Sequence, residues 1–196
     1  KALAAAVAVG LEFGIEETPI KRGVQAVQSF PGRMRVLQGK KECMLIDDTY
    51  NASPIAVKAA LDVLYKTDAN QRIAILGTMN EMGEGSAEMH SEVGSYCDSS
   101  KLDMVVTIGE QAGKYLATAA QKNGCHVKTF TSPYDAGQFV KQQLKTGAVV
   151  LAKGSQNGVF AEEALKGLLA EPKDASRLVR QSKYWLGVKS DQFKVS

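Results

Sequence analysis

The sequence predicts an α/β protein: a doubly wound, mostly parallel sheet with helices on both faces, preceded by a short helical segment. Three observations predict it. Five short β-type runs recur along the chain, at Cys43–Asp47, Arg72–Leu76, Met104–Ile108, His126–Phe130 and Ala148–Ala152. Helix-like stretches separate them, at about 54–66, 86–99, 110–122 and 133–145, and a last one follows at about 157–170. The runs are near-continuously apolar rather than alternating, as in strands covered on both sides.

Residues 1–30 read as helical. Ala2 to Val9 is rich in strong helix formers, and Gly10 or Gly14 can end that helix. Thr18 then reads as an N-cap with Pro19 in the first turn, and Ile20, Gly23, Val24 and Val27 follow at helical spacing. Phe30-Pro31-Gly32 breaks the pattern, which places a boundary near residue 31. Met34–Gln38 and Cys43–Asp47, separated by Gly39-Lys40-Lys41, are expected to open the sheet as a hairpin. The alternation of strands and helices then runs to about Leu169.

Composition narrows the function. An apolar fraction of 44% with 23% charged residues is that of a soluble globular chain. No apolar run approaches the roughly 20 residues that span a bilayer, so no membrane partner is expected. Cys43, Cys97 and Cys125 are odd in number and far apart, with no C-x-x-C pair. Neither a disulfide framework nor a zinc site is indicated, and a reducing cytoplasm fits. His90 and His126 are isolated and read as surface or locally bonded histidines. From Lys173 onward six basic residues face two acids, which makes the tail +4 and the rest −1. The tail also holds Tyr184, Trp185 and Phe193. It carries no RNA-binding signature, so no nucleic-acid partner is expected. It is expected to dock its aromatics on the domain and leave its charges in water.

In such folds ligands lie beyond the carboxyl ends of the strands. Four segments end strands there: Asp47-Asp48-Thr49-Tyr50-Asn51, Gly77–Gly83, Gly109-Glu110 and Lys153-Gly154-Ser155-Gln156-Asn157. Asp47 and Asp48 are adjacent, so in a strand they point to opposite faces and at most one faces a given ligand. The Gly77–Gly85 loop has neither phosphate-loop nor dinucleotide spacing, and its Glu81 and Glu84 would repel polyphosphate. It reads as a turn or as a weak ligand loop. Lys153-Gly154-Ser155 reads equally as an anion site before a helix N-terminus or as a capping turn. Arg33, at the boundary, offers a rigid fork of donors for phosphate or carboxylate, or braces the junction. No metal-ligand set and no catalytic triad is visible. The chain has binding groups without a catalytic engine.

In this order, the motifs resemble the Mur ligase family. The resemblance rests on Ala2–Ala8, Pro31-Gly32-Arg33-Met34, Asp47-Asp48-Thr49-Tyr50-Asn51-Ala52-Ser53-Pro54, Gly77-Thr78-Met79-Asn80-Glu81-Met82-Gly83 with His90, and Lys153-Gly154-Ser155. It points to the branch that adds D-Ala-D-Ala to a UDP-N-acetylmuramoyl-tripeptide in peptidoglycan synthesis. In that family ATP phosphorylates a carboxylate, and an amine then attacks the acyl phosphate. A central domain holds the phosphate loop and Mg2+, and a C-terminal Rossmann-like domain closes over it. The resemblance implies that residues 1–30 are the helical tail of the central ATP-binding domain. It makes 31–170 the C-terminal domain and leaves 171–196 as an extension without a counterpart. It implies that Arg33 and Asp48 reach ATP on closure, and that Asn51, Ser53, Lys153 and Ser155 line the amino-substrate side. Asn80 and Glu81 are expected as further loop contacts. No catalytic residue, metal ligand or cofactor site is expected in the chain itself, which is expected to be cytoplasmic, monomeric and inactive alone. Two positions depart from the family pattern: Thr78 where aspartate is common, and Gln156 where arginine is common. The latter removes a cation from the acceptor side. A stand-alone nucleotide- or anion-binding module, or a sibling ligase with another amino substrate, are the alternatives.

Overall fold

The computed structural model describes residues 2–27 and 29–194. The apolar runs form one six-stranded sheet: β1 Arg35–Gln38, β2 Met44–Asp48, β3 Gln71–Gly77, β4 Met104–Ile108, β5 Val127–Phe130 and β6 Ala148–Lys153. Across the sheet the order is β1-β2-β6-β3-β4-β5. The expected opening hairpin is present, with β1 antiparallel to β2, and every other pairing is parallel. The described residues also form eight α-helices: α1 Ala2–Glu12, α2 Glu17–Ala26, α3 Pro54–Lys66, α4 Ser86–Tyr96, α5 Ala117–Lys122, α6 Pro133–Gln143, α7 Glu162–Lys166 and α8 Lys183–Phe193.

Side chains of successive strand residues serve two separate cores. Leu45, Ile73, Ile75 and Val150 pack with Ala136 and Val140 of α6 and Leu165 of α7. Ile46, Ala74, Leu76 and Leu151 pack on the other face with Leu61 and Leu64 of α3, Val93 of α4 and Ala120 of α5. The placement of α3 is readable locally. Ser53 is the extended N-cap, Pro54 opens the first turn, and Val57, Ala60, Leu61 and Leu64 fall on the buried face. Each fully enclosed leucine contributes about 1.5–3 kcal/mol by leaving water. Cys43, Cys97 and Cys125 are buried free thiols, and burial pushes the Cys43 thiol up to about 11.

Several boundaries differ from expectation. Gly10 lies inside α1, facing the Ile20 side chain of α2, and Gly14 (φ +70°) is the residue that ends the helix. The cap of α2 is Glu16, with Thr18 and Pro19 inside the first turn, where a missing N–H costs nothing. The stretch before α5 is a π-helical turn at Ala112–Leu116. The last helix, expected at about 157–170, shrinks to α7, because Asn157, Gly158 and Phe160 all adopt left-handed backbone and no helix can begin before Glu162.

The tail differs most. Two of its three aromatics dock as expected: Trp185 and Phe193 stand edge-on to Phe160, with centroids 6.1 and 6.3 Å away, whereas Tyr184 stays 71% exposed. Its charges do not all stay in water. Lys189 of α8 is fully buried, with Nζ 2.9 Å from Glu162 Oε1 and 2.5 Å from Glu163 Oε1. Arg180 donates to Glu162 through Nε (2.8 Å) and Nη2 (2.7 Å). The cause is α7, whose first turn encloses two carboxylates that need cations. Burial acts to raise the Glu163 carboxyl, but Lys166 and Lys189 hold it below its ordinary value.

Candidate functional site

The expected rim exists. Asp48 and Lys153 are register partners on β2 and β6, and Lys153 also partners Leu76 on β3, so the three strands end level. The polar loops after them meet there.

The two aspartates do point apart. Asp47 is fully buried; its Oδ2 accepts the Gly32 N–H (2.9 Å), and its Oδ1 accepts the Thr49 N–H (3.2 Å) and hydroxyl (2.5 Å). Burial raises its pKa, and the Thr49 and Gly32 donors oppose that rise. Asp48 Oδ1 accepts the Met34 N–H (3.0 Å), and its Oδ2 takes a hydrogen bond from Lys153 Nζ (2.5 Å). The pair therefore grips the backbone on both sides of Arg33 and presents that residue outward. Gly32 is required for this turn. Its φ is +68°, and a Cβ would lie 2.8 Å from both Tyr50 N and Val179 Cγ1. Exposed Arg33 lies over the Tyr50 ring, with Cζ 4.1 Å from its centroid, a cation–π arrangement.

A cleft of about 610 Å³ opens beside this pair. Phe30, Pro31, Arg33 and Tyr50 line it together with Gln156, Asn157, Leu178, Val179, Arg180 and Trp185. It offers one outward cation, two amides and a large apolar wall.

The remaining expected residues divide into exposed groups and the buried groups that hold them. Lys153 is 4% exposed and gives hydrogen bonds to Asp48 and to the Asn51 carbonyl (2.9 Å). The structure thus turns Lys153 inward, because a buried ammonium beside a register-matched carboxylate pairs with it. No helix N-terminus follows Ser155, since α7 begins only at Glu162. Ser155 is buried; its hydroxyl accepts the Asn80 N–H (2.9 Å) and lies 3.4 Å from the Ala52 carbonyl. Asn51 is exposed and Ser53 half-buried, and the Asn51 Oδ1 accepts only the N–H of Ala52 (2.9 Å). Asn80 gives its amide protons to the carbonyls of Gln156 (2.6 Å) and Asn157 (2.9 Å), which staples two rim loops. Glu81 is exposed, with left-handed backbone, on a second and shallower hollow shared with Gln111 and Tyr115.

His90 is locally bonded, as expected, and it organises the Gly77–Gly85 loop. Its Nε2 accepts the Met79 N–H (2.9 Å), and its Nδ1 lies 2.7 Å from the Ser86 carbonyl. That pattern requires the neutral ring with the proton on Nδ1. Burial lowers its pKa. Gly77 and Gly154 serve close approach rather than positive φ, since a Cβ on either would strike Val159.

The residues that sequence reasoning missed are Tyr50, Arg180 and Trp185. Arg180 Nη2 donates to the Thr49 carbonyl (2.7 Å) and Nη1 to the Tyr50 carbonyl (3.3 Å) across 131 and 130 positions. The only sequence signal was the basic, aromatic composition of the tail. Among the described residues no group of three or more His, Cys, Asp or Glu side chains converges, so these side chains do not compose a divalent-cation cage.

The sheet and rim define a mostly parallel α/β domain whose polar loops gather at the carboxyl ends of its strands. Residues 32–156 match the family described as Mur ligase, glutamate ligase domain, and the chain belongs to the Mur ligase family. It is 30% identical over 171 residues to the UDP-N-acetylmuramoyl-tripeptide–D-alanyl-D-alanine ligase of Bacillus subtilis, covering 86% of this chain and 37% of that protein. Among solved structures it is similar to MurF from Acinetobacter baumannii (TM-score 0.70, 26% identity, 88% of this chain and 37% of that one). It is also similar to the MurF ligase from Thermotoga maritima in complex with ADP (TM-score 0.62, 27% identity, 77% and 33%). The chain spans about a third of the length of these relatives.

Proposed function

We propose that the chain is the closing, C-terminal part of an ATP-dependent, amide-bond-forming ligase of the cytoplasm. That ligase adds D-Ala-D-Ala to a UDP-N-acetylmuramoyl-tripeptide in peptidoglycan synthesis. The observation that carries this reading is the presentation of Arg33. Buried Asp47 and Asp48 fix the amides of Gly32 and Met34, and the guanidinium between them faces a cleft on the rim. A preorganised cation beside an apolar wall fits a nucleotide, and the relative from Thermotoga maritima is described with ADP.

On this reading ATP, with Mg2+ held by the rest of the ligase, supplies the phosphoryl group that activates the carboxylate. The residues of this chain position. Arg33 meets phosphate charge, and Asp48 serves the same side by fixing the Met34 amide and Lys153. Asn51 and Ser53 face the amino substrate. Lys153 and Ser155 act behind them by holding the Asn51 and Ala52 carbonyls. Asn80 and Glu81 line the neighbouring loop. Helices α1 and α2 belong to the central domain, a reading supported by exposed Leu3, Val9, Leu11, Phe13 and Ile15.

The 196-residue chain alone is therefore expected to form no adduct from ATP, D-Ala-D-Ala and the UDP-muramoyl-tripeptide. Coupled phosphate release and product chromatography check this. Turnover by the chain alone contradicts the division of labour, and micromolar ADP binding by calorimetry would favour a self-sufficient module.

A further inference from the structure

We infer that the tail segment 178–185 is a wall of the nucleotide-facing cleft, and that Arg180 is a positioning residue for the Thr49–Tyr50 loop. This rests on the reading of the cleft given above.

The segment lies outside the family match, which ends at residue 156, yet it is built into the site. The Arg180 side chain is 7% exposed, and its donors are spent on Glu162, the Thr49 carbonyl and the Tyr50 carbonyl. A guanidinium neutralised by a buried carboxylate is a strut, not a phosphate ligand. It fixes the backbone that carries the Tyr50 ring, and that ring carries Arg33. Its own backbone is held from behind, because Lys189 Nζ donates to the Arg180 carbonyl (2.8 Å). Gln181 Nε2 donates to Glu163 Oε1 (3.0 Å) and to the Val179 carbonyl (2.8 Å). Val179 in turn packs on the Gly32 Cα, one residue before Arg33.

The tail therefore adds to the family-matched rim the apolar side chains of Leu178 and Val179 and the Trp185 indole, which line the cleft with Tyr50. Phe160 holds that indole edge-on. Among the described residues Arg33 is in no ion pair, so the cleft combines a cation that no carboxylate neutralises with apolar side chains. A nucleoside polyphosphate has the matching chemistry, an anionic chain and a planar base joined through a ribose, whereas a small dipeptide zwitterion has no ring to set against an indole.

The test is steady-state kinetics of the intact ligase that contains this chain, with Trp185→Ala, Arg180→Ala and Arg180→Lys. The KM for ATP is expected to rise about tenfold for Trp185→Ala and Arg180→Ala, the equivalent of one decade of affinity. Expected kcat stays within roughly threefold, the KM for D-Ala-D-Ala within roughly twofold, and Arg180→Lys, which keeps the charge but loses the fork, recovers only part of the ATP effect. A purely structural tail would lower thermal stability without this KM split. Trp185→Ala removes no buried charge, so it carries the test should Arg180→Ala fail to fold. An unchanged KM for ATP in Trp185→Ala, with Arg33→Ala still impaired, overturns the inference and leaves the cleft reading intact. An unimpaired Arg33→Ala overturns both.

Discussion

Lys153 Nζ lies 2.5 Å from Asp48 Oδ2, although the residues stand 105 positions apart. The parallel pairing of β2 with β6 makes them register partners on one face, and both side chains are nearly closed to water. Around this ion pair the rim is assembled: Asp48 reaches Met34, and Lys153 reaches Asn51.

Breaking the pair from one side strands a buried charge. Lys153→Met should lower stability by about 3–5 kcal/mol, as should Asp48→Ala. The double variant Asp48→Asn/Lys153→Met, which keeps an acceptor for the Met34 N–H, should recover part of that loss. Urea denaturation of the three proteins checks this. It also means that lost ligation in Asp48→Ala alone mixes unfolding with function.

His90 gives a pH dependence of definite sign. Its folded pKa is held below the ordinary 6.5 by burial, so the unfolded chain takes up a proton before the folded one does. This group's contribution is fully present above pH 6.5 and is lost as pH falls toward the folded pKa. The slope approaches about 1.4 kcal/mol per pH unit for one proton. Urea midpoints at pH 7.5 and 5.5 should therefore fall more in the natural protein than in His90→Gln. Equal falls contradict the assignment.

The tail is expected to be protected from exchange by its buried ion pairs with Glu162 and Glu163. Lys189→Met leaves Glu162 and Glu163 short of a shared cation, at a cost of about 3–5 kcal/mol. Hydrogen exchange should accelerate in α8 and around Arg180 before it does in β3 and β6. Uniform acceleration would contradict a separately anchored tail.

Trp185 is the sole tryptophan of the sequence, and it lines the cleft. ADP added to the 196-residue chain should change its emission with half-saturation near ~1 mM, since half a site binds weakly. Arg33→Ala should abolish the change. An ADP response that survives Arg33→Ala places the nucleotide elsewhere.

The fold was legible because its signals are local. The apolar runs, the Phe30-Pro31-Gly32 break and the helix-like stretch from residue 54 are each marked by a few neighbouring residues, and each corresponds to an observed feature. The opposed faces of Asp47 and Asp48 followed from strand geometry alone. What was not legible depends on which strands are neighbours. Nothing in the sequence sets β6 beside β2, so Lys153 read as a ligand group rather than as the partner of Asp48. The same holds for Arg180 and Lys189. Their charge suggested solvent, and only the burial of Glu162 and Glu163 at the start of a shortened α7 draws them inside. Tyr50 was visible within its motif, but its role needs the Gly32 turn folded back over it.

Arg33, an exposed residue whose flanking amides are held by two buried aspartates, is proposed to act only when the rest of the ligase closes on it. The most direct measurement is the ligation rate and melting temperature of Arg33→Ala in the intact ligase. A fall in kcat of about 10²-fold or more is expected, in the range for losing one preorganised donor, at an unchanged melting temperature. A rate within roughly twofold of the natural enzyme would contradict it.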